Sequence, residues 1–261
     1  MLSRIIHPFR TKQERKVDFL ICGTQRGGTG ALFNWLRKHP DICWAKRKEV
    51  HFFDSERVFR GKKPQYFKYH SFFDPQPFHK LLGEATPIYM YWYDAPKRIW
   101  QYNRDMKLIV ILRNPIDRAY SHWNLTRHRD PDVSFWDAIR NERERCRSAL
   151  PLQHRFFSYV DRGFYIQQLR RLWTYFDQSQ MLILRNEDLR SRPEEIVDKI
   201  CRFLGIRSFP EAKPPVAREL RYPYPGPMGI RERDYLRQVF EYEIRSLERV
   251  LGWDCRRWLA D

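Results

Sequence analysis

The stretch VDFLICGTQRGGTGALFNWLRKHP, residues 17–40, decides the fold. Its first seven residues form a short, largely apolar run ending in glycine, as a strand buried in a parallel sheet requires. In the closing ALFNWLRKHP, Leu32, Trp35 and Leu36 share one helical face and Pro40 closes the helix. Between the two lies a turn holding Gly27, Gly28 and Gly30. Strand, glycine-rich turn and helix in direct succession open an α/β fold.

The same alternation continues along the chain. MKLIVILR (106–113) and QMLILRNEDL (180–189) read as strands, the first ending at an Asn114-Pro115 turn. Helices are predicted over 116–128, 164–176, 193–206 and roughly 230–251, with Pro193 in a first turn and Gly205 at a C-terminal end. The proline-rich stretch 208–229 reads as a long surface loop. With no repeat and no clear linker, the expectation is a single α/β domain over 17–261, with a central, mainly parallel sheet flanked by helices. A basic N-terminal tail, 1–16, precedes it.

Composition bounds the function. Hydrophobic residues at 42% and aromatics at 16% supply a substantial core, which argues against disorder. A net charge of +17 suits polyanionic partners: nucleic acid, anionic glycans, phosphorylated nucleotides or an acidic membrane. No recognised nucleic-acid motif appears, so no nucleic-acid partner is expected. The five cysteines show no CxxC pair or metal-ligand spacing, which points to free thiols in a reducing compartment and to no metal. No run approaches the ~20 apolar residues of a membrane span, and the first residues lack a signal-like apolar stretch. A soluble, cytoplasmic protein is therefore expected.

Thr24-Gln25-Arg26-Gly27-Gly28-Thr29-Gly30 carries the chemistry. Glycines let backbone approach an anion closely. The helix start adds unpaired N–H groups and the positive end of the dipole. Arg26 contributes charge and Thr29 a hydroxyl. The Walker pattern fails, because Gly28 is followed by Thr29 and Gly30 rather than by Lys and Ser/Thr, and the GxGxxG pattern fails too. This disfavours a nucleotide kinase. A nucleotide- or nucleic-acid-binding protein without catalysis is the alternative reading of loop and charge.

QRGGTGAL at 25–32 resembles the 5′-phosphosulfate loop of sulfotransferases that use 3′-phosphoadenosine-5′-phosphosulfate (PAPS), most closely the heparan-sulfate type and its bacterial relatives. KEVHFFD (48–54), GEATPIYM (83–90) and LRNPIDRAYSHW (112–123) resemble further blocks of that family in order. The resemblance implies the P-loop-like sulfotransferase fold and transfer of a sulfonate from PAPS, without a metal, to a hydroxyl or amine of a glycan or small-molecule natural product. It implies Glu49 as general base, with His51 orienting Glu49 or the acceptor. Gln25, Arg26, Gly27, Gly28, Thr29, Gly30 and Ala31 would hold the 5′-phosphosulfate. Arg113 and Ser121 would hold the 3′-phosphate. Arg221, in the 208–229 loop with Arg218, Tyr222 and Tyr224, would help close over the nucleotide. Arg26 stands where the family usually has lysine; it keeps the charge but gives up no proton. Ala85 stands where the glycosaminoglycan enzymes commonly carry lysine. On an extended segment Glu49 and His51 would share a face. Tyr120 and Trp123 read as core, and His122, His128 and the 140–147 arginine cluster as solvated helix faces.

Overall fold

The computed structural model describes residues 15–61, 63–209 and 222–260. In chain order the elements are β1 (Phe19–Gly23), α1 (Thr29–Leu36), β2 (Ile42–Trp44), α2 (Glu56–Phe59), α3 (Tyr66–His70), β3 (Leu81–Ala85), α4 (Ala95–Tyr102), β4 (Lys107–Leu112), α5 (Pro115–Thr126), α6 (Phe135–Arg140), α7 (Glu142–Ser148), α8 (Tyr165–Trp173), β5 (Met181–Arg185), α9 (Asn186–Ser191), α10 (Pro193–Leu204), α11 (Ile230–Leu251) and α12 (Arg256–Leu259).

The five strands form one sheet in the order β2-β3-β1-β4-β5, and every pairing is parallel. β1 is central and buried along its whole length, as its apolar run requires. Alternate side chains point to opposite faces. Phe19 and Ile21 join Leu32, Trp35 and Leu36 of α1 and Ile200 of α10 on one face. Leu20 and Cys22 join Ile116, Leu169 and Phe240, from α5, α8 and α11, on the other. Each such fully buried side chain contributes about 1.5–3 kcal/mol. The sheet is held between two apolar layers, so its strand ends are fixed platforms.

The structure departs from the sequence reading in several places. The strand expected over 180–189 stops at Arg185, and α9 begins at once. Asp188 pairs with Arg185 at 2.8 Å and with Arg192 at 3.0 Å, spacings of three and four that favour a helical turn. β2 and β3 were not anticipated: one has three residues, and the other interrupts its apolar residues with Gly83 and Glu84. The helix expected over 164–176 is regular only over Tyr165–Trp173. Gly205 ends α10 with φ of 77°, as its placement suggested. Of the basic tail, residues 1–14 lie outside the described residues.

Candidate active site

The loops that carry candidate residues leave the carboxyl ends of the strands. Gln25–Gly28 follow β1, Glu49 and His51 follow β2, Arg113 follows β4 and Asn186 follows β5. From β1 the chain runs out to β2, and from β4 it runs the other way to β5. The crevice between β1 and β4 is the switch point where open parallel sheets bind ligands.

The glycine loop is tailored to that crevice. A Cβ on Gly27 would stand 2.4 Å from the Ile111 carbonyl oxygen. Gly28 has φ of 109°, and a Cβ there would meet the Asn186 amide at 2.5 Å. Asn186 donates to the Gly27 carbonyl at 2.9 Å. Gly28 caps α1 without a side-chain hydrogen bond, so the first-turn N–H groups of that helix face outward. A Cβ on Gly30 would meet nothing within 4 Å, which leaves room above the helix start. Thr29 is buried and Ala31 exposed. Backbone donors, a free approach and the helix dipole together suit a phosphate-type anion.

Arg26 and the residues after β4 complete this half. Arg26 Nε donates to Ser121 Oγ at 2.9 Å, which fixes its guanidinium over the first turns of α5. Burial pulls its pKa below the usual guanidinium value, while the hydrogen bond it donates to the Tyr224 hydroxyl and the Glu49 charge oppose that pull. Arg113 reaches the Arg26 carbonyl oxygen at 3.5 Å. Tyr224 stacks on Tyr120 with ring centroids 5.3 Å apart. Asn124 donates to the Tyr222 carbonyl at 2.7 Å, laying the end of the 208–229 loop along α5. Arg218 and Arg221 lie outside the described residues.

Glu49 and His51 do meet, but not as alternate residues of an extended segment. Their φ angles are 60° and 59°, both left-handed. The extended segment expected from the sequence is not what forms: His51 Nε2 comes within 3.5 Å of Glu49 Oε2 because the backbone coils between them. The Glu49 N–H bonds to the Ala85 carbonyl at 3.0 Å, and the Phe52 N–H to the Tyr89 hydroxyl at 3.0 Å, pinning the segment to the end of β3. Arg26, with φ of 67°, is the remaining left-handed non-glycine residue among the described residues. Such conformations cost about 1–3 kcal/mol each and persist where the surroundings impose them.

Asp54 is part of this half and had no role in the sequence reading, although it stands three residues after His51. It is fully buried and its Oδ2 accepts from His51 Nδ1 at 2.9 Å and from Arg155. The bonds to Asp54 and then to Glu49 raise the His51 pKa to about 9. Burial would raise the Glu49 pKa, but His51 and Lys48, whose Nζ lies 2.8 Å away, bring it down to about 2. At neutral pH the pair is carboxylate and imidazolium. Ala85 is buried in the apolar layer under α1.

Behind both halves lies a group of buried polar side chains. Arg162 is 1% exposed, donates to the Gln25 side-chain carbonyl and sits 4.4 Å from the Tyr91 ring centroid. His122, expected on a solvated face, is fully buried. Its site lies inside α5, where burial and the charges of Arg162, Arg118 and Arg26 hold the ring neutral. Glu84 accepts from the hydroxyls of Tyr69 at 2.5 Å, Tyr89 at 2.9 Å and Thr86. Among the described residues no cluster of His, Cys, Asp and Glu suits a metal.

Two clefts meet at His51. One of about 1060 Å³ is lined by Arg47, Arg57, Arg60, Lys63 and Lys68, with no carboxylate in its wall. The other, about 590 Å³, has Trp92, His154, Arg155 and Phe156 in its wall.

Residues 16–222 match the sulfotransferase domain family. The chain belongs to that family. It is 34% identical over 193 residues to the heparan sulfate glucosamine 3-O-sulfotransferase 6 of Mus musculus, an alignment covering 72% of this chain and 52% of that protein. It is 32% identical over 200 residues to the bifunctional heparan sulfate N-deacetylase/N-sulfotransferase 4 of Mus musculus, covering 72% of this chain and 22% of the other. The chain thus spans about half, or less, of the length of these relatives. A sulfotransferase from Alicyclobacillus acidocaldarius superposes with a TM-score of 0.77 at 26% identity, covering 94% of this chain and 99% of that one. The sulfotransferase fold that the ordered blocks implied by resemblance is therefore the fold observed.

Proposed function

We propose that this sulfotransferase-family chain moves the sulfonate group of PAPS to an oxygen or nitrogen of an acceptor by in-line displacement, with Glu49 as general base. The carrying observation is that Arg26, Glu49 and His51, the left-handed non-glycine residues among those described, interact at the carboxyl end of the sheet: His51 lies 3.5 Å from Glu49, and the Glu49 charge reaches Arg26.

PAPS supplies an activated sulfonate whose bond to the bridging phosphate oxygen breaks as the acceptor bond to sulfur forms. The loop from Gln25 to Ala31 fits its 5′ end, through the open face at Gly30 and the uncapped start of α1. Arg26 and the first-turn N–H groups stabilise negative charge on the departing phosphate oxygen. Arg26 acts here by charge and hydrogen bonding, not by giving a proton. Arg113 and Ser121 hold the 3′-phosphate, and the loop carrying Arg221 closes from the side of Tyr224. Glu49 takes the acceptor's proton. Its low pKa makes it a weak base on its own. The negative charge of the donor raises a nearby carboxylate's pKa and so strengthens it. His51, held by Asp54, orients Glu49. Positioning and electrostatics carry the reaction, with no metal assigned.

For the acceptor we favour an acidic glycan over a small neutral molecule. The cleft of about 1060 Å³ beside His51 is lined by cationic side chains, which suit an acidic glycan. The five cysteines are all free, four of them buried, which supports a reducing compartment such as the cytoplasm. Among the described residues no helix is long and apolar enough to cross a membrane.

The test is incubation with isotopically labelled PAPS and a panel of acidic glycans, neutral glycans, phenols and amines, followed by mass spectrometry. Label on acidic glycans is expected. No PAPS binding would end the proposal; label confined to phenols or amines would remove the glycan acceptor.

A further inference from the structure

A chain of polar contacts runs from the glycine loop to Glu49 by a route that avoids the crevice. Arg162 donates through one amino group to the Gln25 side-chain carbonyl, through the other to the Arg155 backbone carbonyl at 2.7 Å, and through Nε to Ser158 Oγ at 2.8 Å. Arg155 in turn donates to the Asp54 carboxylate and to the Asp54 backbone carbonyl at 2.8 Å. Asp54 holds His51, and His51 faces Glu49. The segment that carries both arginines is itself anchored. Gln153 accepts from the Tyr93 N–H at 2.6 Å and donates to the Tyr91 carbonyl at 2.5 Å, and Arg155 lies 4.5 Å from the Trp92 ring centroid.

The energetics of Arg162 give this route weight. Among the described residues no carboxylate lies in ion-pair range of its buried guanidinium, and its acceptors are an amide oxygen, backbone carbonyls and a hydroxyl. Burying a cation outside ion-pair range of any carboxylate costs several kcal/mol, offset here only in part, by neutral acceptors, the Tyr91 ring and the more distant Asp161 charge. A methionine would fill the same volume without that cost. What the arginine adds is its planar fork, which fixes two segments at one atom spacing.

We propose that Arg155 and Arg162 are positioning residues that couple the glycine loop to the Glu49–His51–Asp54 chain, so that filling the loop with nucleotide sets the geometry of the base. The proposal rests on reading residues 24–31 as the donor site. Neither arginine touches the reacting atoms. Arg162 senses the loop through Gln25, and Arg155 passes the constraint to Asp54. A misplacement of the base by about 1 Å is worth roughly 100-fold in rate, so small shifts in this segment matter.

The test is amide hydrogen exchange with and without adenosine 3′,5′-bisphosphate, on the wild type and on Arg162→Met, Arg155→Met and Gln25→Ala. Calorimetry in parallel confirms that each variant binds the nucleotide, and exchange is compared at saturation. In the wild type the nucleotide is expected to slow exchange in peptides covering 24–31 and 49–56, by about fivefold or more in the second. In each variant it still protects 24–31 but no longer protects 49–56. Gln25→Ala guards against misfolding, because it removes the acceptor and leaves both buried arginines in place; as a member of the donor loop it is expected to bind the nucleotide more weakly, and the comparison at saturation removes that difference. Protection of 49–56 that persists in the variants overturns the coupling. Absence of nucleotide binding in the wild type overturns the donor-site reading and the coupling with it, and is recognised by the calorimetry alone.

Discussion

The two halves of the crevice are built in different ways. The glycine-loop half is mostly backbone: N–H groups at the start of α1, a Gly27 pressed against Ile111, and a Gly28 that only a left-handed residue can occupy. The Glu49 half is almost entirely side chain: a carboxylate, an imidazole and a buried carboxylate in series, closed by an arginine about a hundred residues away in sequence. On the proposed reading, backbone donors recognise what every PAPS molecule shares. Side chains on a pinned but separate segment can change from one relative to the next without disturbing the sheet. The contrast explains why the donor is easily named while the acceptor has to be inferred from a cleft.

Substitutions sharpen the contrast. Replacing Glu49 by Gln should lower sulfonate transfer by about 10²–10⁴-fold. Adenosine 3′,5′-bisphosphate affinity should stay within about twofold; a rate assay and calorimetry on the same sample separate the two. If transfer survives, the side-chain half holds no base. Replacing Arg113 by Ala tests the other half: nucleotide affinity should fall about 10–100-fold, from the loss of a charge-assisted bond worth roughly 1.5–3 kcal/mol. Unchanged affinity would move the 3′-phosphate elsewhere.

The pH dependence belongs to the Glu49 half alone. His51 has a raised pKa, so its imidazolium is complete below the usual histidine range and is lost as pH rises through about 9. Glu49 has a depressed pKa and stays ionised down to about 2. Transfer should therefore hold across neutral pH and decline above about 9. His51→Gln should remove that upper limb from the pH–rate profile, and a limb that remains in the variant would assign it to another group. In the basic cleft, Arg57→Glu should raise the KM for an acidic glycan by about three- to tenfold at low salt, an effect that shrinks as salt screens it. Nucleotide affinity serves as its control. Last, Gly28→Ala should cost about 1–2 kcal/mol of stability by denaturant unfolding, because alanine resists φ of 109° and meets Asn186.

The same contrast governs what could be read from the sequence. Loop, strand and helix are contiguous over 17–36, so local pattern suffices for β1 and α1. Arg113 and Ser121 lie within one strand–helix unit, which pattern finds, while their proposed role comes from the resemblance alone. The ligation of Asp54 by Arg155 and of Gln25 by Arg162 joins segments that only the closed fold brings together, and no spacing rule marks them. The left-handed backbone at Arg26, Glu49 and His51 was invisible, since the usual sign of positive φ is a glycine. His122 was misplaced because a histidine among polar helix residues reads as solvated until the 153–162 segment is packed over it, with the Tyr159 ring 5.0 Å away. β2 and β3 were missed because short strands lying against a long central one take their stability from that neighbour rather than from their own periodicity.

The strand order has a consequence for how the protein comes to be folded. β1 pairs Phe19 with Gly83 on one side and with Lys107 on the other. The central strand therefore cannot acquire both neighbours until synthesis has passed the fourth strand, and the fifth closes only near residue 181. Pairings at such separations are slow to close. The glycine loop, the first part of the crevice to be translated, is among the last to be given its shape. Until then an apolar strand waits exposed, so the step most open to aggregation falls midway through translation of the chain.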